Sequence, residues 1–142
     1  MATNTSNPTP IFINQGNLTP GRISAANTAS DGTGALVAVV TATADGTRVD
    51  GVRFTNSSAT LGAAAAKVWR IFLSNTSGTS FRLIGEIIAA AVTRSATVAG
   101  QTAIYSFDQP IIMQSGQIMS VCQSVYTTAL DQTDAIAYAG NY

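Results

Sequence analysis

The 142-residue sequence predicts an all-β fold: an antiparallel β-sandwich, jelly-roll-like, of about eight strands with an extended N-terminal arm. Three observations predict it. Runs rich in Val, Ile, Thr, Phe and Tyr are separated by Gly, Asn and Ser clusters. The runs recur at about ten-residue spacing, the interval of sandwiches built from short strands. No long stretch carries the 3.6-residue apolar period of a helix.

The elements follow in chain order. Residues 1–15 form the arm: polar and small residues with Pro8 and Pro10, ending in the short apolar run Ile11–Ile13. Residues 16–142 form one domain, in which residues 16–34 read as loop with a short extended piece at Arg22–Ala25. Leu36–Ala44 is a strand. Asp45-Gly46 supplies the backbone of a tight hairpin, returning as TRVDGVRFTN (47–56), with a bulge expected at Gly51. Leu61–Ala66 is ambiguous, because alanine favours a helical turn but the piece is short. KVWRIFLS (67–74) pairs across the NTSGTS loop with FRLIGEIIAAA (81–91). Both strands carry large apolar groups on both faces, so the second face is expected to be covered too. Residues 101–108 and 111–113 are short strands flanking Pro110, which belongs at an edge or junction. Ser115-Gly116 turns the chain into 117–126, and DAIAYAGNY (134–142) is the last strand.

Composition limits the function. Seven basic and seven acidic residues give a formal net charge of zero and a charged fraction of 10%, against about 25% in an average globular protein. The basic residues are scattered, so the phosphate-tracking stripe of a nucleic-acid binder is absent. No apolar stretch is long enough for a membrane span and the first residues lack a signal-peptide pattern, so no membrane association is expected. The chain has no histidine, which removes the usual general base, the common catalytic triads and the common zinc sets. No phosphate-loop, dinucleotide or nucleophile-elbow motif occurs. The expectation is a protein that is not an enzyme, with no cofactor and no metal. Cys122 lies among apolar residues and reads as a buried structural thiol. Asp45 reads as a turn residue, and Asp131 and Asp134 as loop-cap residues. Glu86, inside an apolar strand, is expected to pair with an arginine such as Arg82 or with one on a neighbouring chain rather than to act in catalysis.

A charge-poor surface, strands apolar on both faces and a proline-bearing polar leader find one explanation in subunit assembly. Neighbouring subunits would cover the second faces, and few charges would need desolvation. Ten extended residues reach roughly 30–36 Å, enough to lie over an adjacent subunit. Prolines lower the entropy lost when such an arm docks.

The succession GTRVDGVRFTNSS, KVWRIFLSNTSGTSFRLIGEIIAAAVT, the Pro110 strand, QSGQIMSV and a terminal AYAGNY resembles small all-β virion proteins of tailed bacteriophages. The resemblance covers roughly residues 36–142, and its motifs are structural. It implies a capsid decoration, or cement, protein on the outer capsid surface, with the major capsid protein and further copies of itself (a homotrimer or homodimer) as partners. On that reading the arm, through Thr3, Asn4, Pro8, Pro10, Ile11 and Phe12, clamps a neighbour, and Arg48, Arg53, Arg70, Phe72 and Arg82 lie at interfaces. Two alternatives stand beside it: a tail, neck or fibre-associated structural protein, and a carbohydrate-binding module using Trp69, Tyr105 or Tyr126.

Overall fold

The computed structural model describes residues 15–142. Within them lie β1 (Gln15–Gly16), β2 (Gly21–Ile23), β3 (Val37–Thr41), β4 (Thr47–Asn56), β5 (Gly62–Ala64), β6 (Lys67–Ser74), β7 (Phe81–Ala89), β8 (Val92–Arg94), β9 (Thr102–Met113), β10 (Ile118–Gln123) and β11 (Thr133–Asn141), with one 3₁₀ turn at Ala129–Asp131.

Two sheets face each other. One has the order β1-β11-β4-β9, with β2 sharing the β1 edge of β11; the other has the order β3-β10-β6-β7. Taken as eight principal strands, the first pairs with the last (β2·β11), the second with the seventh (β3·β10), the third with the sixth (β4·β9) and the fourth with the fifth (β6·β7), all antiparallel. This is one long nested hairpin, and the lateral pairings β11·β4 and β10·β6 roll it up. The result is a jelly roll, as the strand spacing predicts.

The core lies between the sheets. Val49, Val52 and Phe54 of β4 meet Trp69 and Ile71 of β6, with Met113, Met119, Val121, Ala135 and Ala137 around them, all at most 1% exposed. Phe54 and Trp69 stack across the gap with centroids 5.2 Å apart and planes 6° from parallel. Alternation produces this layer, because every second residue of each strand faces inward. Gly85 of β7 is a point of close approach between the sheets: a Cβ there would press into the ring of Tyr105 on β9.

Several expectations need correction. Asp45-Gly46 does form a turn, with Gly46 at φ +98° and its N–H bonded to Thr43 O. The strands it joins do not pair as a hairpin, however; β3 and β4 lie in opposite sheets. A tight turn and a sheet-crossing corner use the same residues, so their chemistry does not tell them apart. Leu61–Ala66 is not helical; its centre is β5, paired with β8 in a separate two-stranded ribbon. The segments flanking Pro110 are a single edge strand, β9, which bulges there. The register to β4 slips between Val49 and Gly51, so the bulge foreseen at Gly51 is present.

Part of the second face of the β6 sheet is covered by the chain itself, while Ile88 of β7, on the same face, stays 79% exposed. The β2–β3 connection crosses it, held by Asn27. The N–H of Asn27 donates to Gln123 O at 2.8 Å, and its carboxamide donates to Thr33 O and Ala35 O at 2.8 and 3.0 Å. Phe72 and Cys122, on that face, are completely buried. Burial pushes the Cys122 thiol up, and the nearby Arg70 charge opposes the shift.

A buried polar cluster closes one end of the sandwich around the 3₁₀ turn. Asp131, 1% exposed, accepts from the N–H and hydroxyl of Thr127 (2.8 and 2.7 Å), from Ala65 N–H (2.7 Å) and from Lys67 Nζ (3.2 Å). Its main-chain carbonyl accepts from Lys67 Nζ at 2.8 Å and Gln123 Nε2 at 3.0 Å. Asp131 also completes a capping box with Thr128, the loop-cap role expected of it. Asp134 is not a cap: it pairs with Arg22 at 2.9 Å.

Candidate interaction face

The outer face of the β1-β11-β4-β9 sheet is built by the residues that alternate with the core layer. Ala103, Tyr105 and Phe107 of β9 pack inward, so Thr102, Ile104, Ser106 and Asp108 are left outside, all exposed. The register then sets out rows across three strands. Asp134, Thr55 and Thr102 form one. Ile136, Arg53 and Ile104 form the next, followed by Tyr138, Gly51 and Ser106, and then by Gly140, Arg48 and Ile112. Ile104 is 51% exposed, Ile112 56% and Tyr138 39%.

Charge on this face is largely self-compensated. Arg22 meets Asp134 at 2.9 Å and Arg48 meets Asp50 at 2.7 Å. The Arg22 hydrogen bond holds the Asp134 carboxyl below its ordinary range. Arg53 and Asp108 have no ion pair or side-chain hydrogen bond among the described residues. Beside Arg53 is a shallow cavity of about 230 Å³ lined by Pro20, Thr55, Asp134, Ala135 and Ile136.

The residues expected at interfaces are not brought to one place. Arg48 and Arg53 share the face just described. Arg70 is on the outer side of the opposite sheet, where its Nε donates to Glu86 at 2.7 Å and a terminal nitrogen donates to Asn27 O at 3.2 Å. The partner of Glu86 is therefore Arg70 rather than Arg82, because the β6·β7 register sets Arg70 opposite Glu86. Arg82 is exposed and donates to Phe81 O at 3.2 Å. Phe72 has no exposed surface and cannot reach a partner; the β2–β3 connection occupies its face. Thr3, Asn4, Pro8, Pro10, Ile11 and Phe12 lie outside the described residues. Of the three aromatics proposed for sugar binding, Trp69 is fully buried and Tyr105 packs between the sheets, so neither forms a shelf; Tyr126 is half-buried.

Sequence reasoning missed Ile104, Ile112, Ile136, Tyr138 and Asp108 as members of this face. The signal was present in QTAIYSFD and DAIAY. In each, one residue set is the inward set, and a large apolar group in the other set stands where solvent would favour a polar one. Among the described residues no group of three or more His, Cys, Asp or Glu side chains converges. No protein-family model, no curated protein and no solved structure matches this chain.

Proposed function

We propose that this chain is a structural virion protein of a tailed bacteriophage: a decoration protein that binds the outer surface of the head and strengthens contacts between capsomers of the major capsid protein. The observation that carries the reading is the outer face of the β11-β4-β9 sheet. There Ile104, Ile112 and Tyr138 stand exposed around Arg53, which has no ion pair among the described residues. A face whose charges are mostly paired within the chain, with exposed apolar groups on the strands flanking Arg53, suits contact with another polypeptide. The scarcity of ionised groups across the whole chain supports the same reading, since interface cores are depleted of charge. Arg53 would supply a bidentate hydrogen bond to a partner carboxylate or carbonyl.

The leading segment is the second element of the proposal, with residues 3–12 clamping a neighbouring subunit. Removing residues 1–12 tests it, since the described fold begins at Gln15. The truncated protein is expected to keep its circular dichroism spectrum and melting temperature while its affinity for heads lacking the native protein falls about tenfold or more. Undiminished binding would contradict the clamp.

A further inference from the structure

We propose that the outer face of the β11-β4-β9 sheet is a homotypic interface, closed by a two-fold axis that sets Arg53 of each copy against Asp108 of the other. This rests on the charges and register of the face and does not require the virion reading.

Among the described residues, after the Arg22–Asp134 and Arg48–Asp50 pairs, the rows around Ile104 and Ser106 keep Arg53 and Asp108, while Asp45 lies at the far end of the face beside Ile112. A patch with one residual charge of each sign is complementary to itself. In an isologous contact residue i meets j and j meets i, so both charges of both copies are neutralised at once. Arg53 is on the central strand β4 and Asp108 is on the edge strand β9, four residues beyond Ile104, the register partner of Arg53. The axis passes midway between them, over the row that holds Gly51 and Ser106. At that row β9 carries only a serine hydroxymethyl, and Gly51 of β4 is buried against the β9 backbone at Tyr105 and Ser106. Ile104, Ile136 and Tyr138 flank the axis and supply the apolar contact.

The face is small. Three strands spaced about 4.8 Å apart and nine residues rising about 3.3 Å each give roughly 14 by 30 Å. That is about 430 Å² per copy before side-chain relief is counted, and about 860 Å² for the pair, the size of a weak, reversible dimer. Face-to-face stacking pairs one face with one face, so assembly stops at two, and contact with the head then falls to the leading segment.

The test is sedimentation equilibrium on the full chain and three variants, Arg53→Asp, Asp108→Arg and the double exchange. Loading should reach about 100 µM, two decades above a micromolar dissociation constant. The wild type is expected to sediment as a dimer. Each single reversal should weaken association about tenfold or more, because it places like charges together. The double exchange should recover dimerisation to within about threefold of the wild type, because the pair is restored with its sign inverted. Both side chains are exposed, so the melting temperatures of the monomers should stay level. A wild-type monomer, a trimer, single variants that associate normally, or a double variant that does not recover would each overturn the proposal. Binding to phage heads is a separate readout: a wild type that binds heads but sediments as a monomer sinks this interface and leaves the decoration role standing.

Discussion

Asp131→Asn is expected to lower the unfolding free energy by about 3–5 kcal/mol, the cost of breaking a buried ion pair from one side. Asp131 is 1% exposed and its carboxylate is surrounded entirely by donors. An asparagine can keep the oxygen that faces Ala65 N–H and Lys67. Its amide NH₂ would then confront the N–H of Thr127, donor against donor, with only the Thr127 hydroxyl able to turn and accept, and the lysine ammonium would remain buried without a counter-charge. For a chain of this length the loss corresponds to a fall in melting temperature of roughly 10–15 °C. Lys67→Met should cost less, because the carboxylate keeps the three donors from Thr127 and Ala65. Urea unfolding reads both, with the midpoint shifting and the slope unchanged. A loss below about 1 kcal/mol in Asp131→Asn would show that the cluster does not anchor this end of the fold.

The same group gives a pH dependence. Burial alone would raise the Asp131 pKa, but the hydroxyl and N–H of Thr127, Ala65 N–H and Lys67 outweigh it and hold the carboxyl well below the usual carboxylate range. Burial pulls the Lys67 ammonium down, and its contact with Asp131 opposes this. An unfolded aspartate titrates near 3.9. A carboxyl with a depressed folded pKa contributes fully above that value and progressively less as pH falls below it toward the folded pKa. The wild type should therefore lose stability steeply below about pH 4, and Asp131→Asn should show a shallower acid slope.

Trp69→Ala is expected to cost about 3–5 kcal/mol. Trp69 is the only tryptophan, fully buried, stacked on Phe54 from the opposite sheet, and its indole N–H donates to Thr133 Oγ at 3.2 Å. Truncation leaves a void at the centre of the interface between the sheets, and Phe54 loses its stacking partner. Trp69→Phe should recover most of the loss, since an aromatic ring still fills the gap and the Thr133 hydroxyl still reaches Asp131 O. Thermal melts of both variants check this. Similar melting temperatures for wild type and Trp69→Ala would mean that the two sheets are not held by this stack.

The core and the strand order were legible to different degrees for physical reasons. Alternation in KVWRIFLS and TRVDGVRFTN marks Trp69, Ile71, Val52 and Phe54 as inward, because a strand has only two faces and one of them must be buried. The strand count followed from turn residues at regular intervals. The sheet to which each strand belongs did not, because Asp45-Gly46 makes the same turn whether the chain returns beside itself or crosses to the other layer. That something covers the outer face of β6 at Phe72 was foreseen, and there the cover is a part of the chain itself. Phe72 signals that something lies over it, but nothing local to β6 identifies the β2–β3 connection, some forty residues earlier in the chain, as that cover. Arg53 was legible only as one of several arginines. Its distinction is that its neighbours use their carboxylates on Arg22 and Arg48, a consequence of register across β2, β11 and β4.

The central claim is that this fold is an architectural component present across the surface of a phage head. Quantitative mass spectrometry of purified particles, with the major capsid protein as internal standard, tests it most directly. The account predicts a copy number in fixed, near-stoichiometric proportion to the capsomers. A handful of copies per particle would place the protein in the tail or neck, and its absence from particles would contradict the virion role altogether.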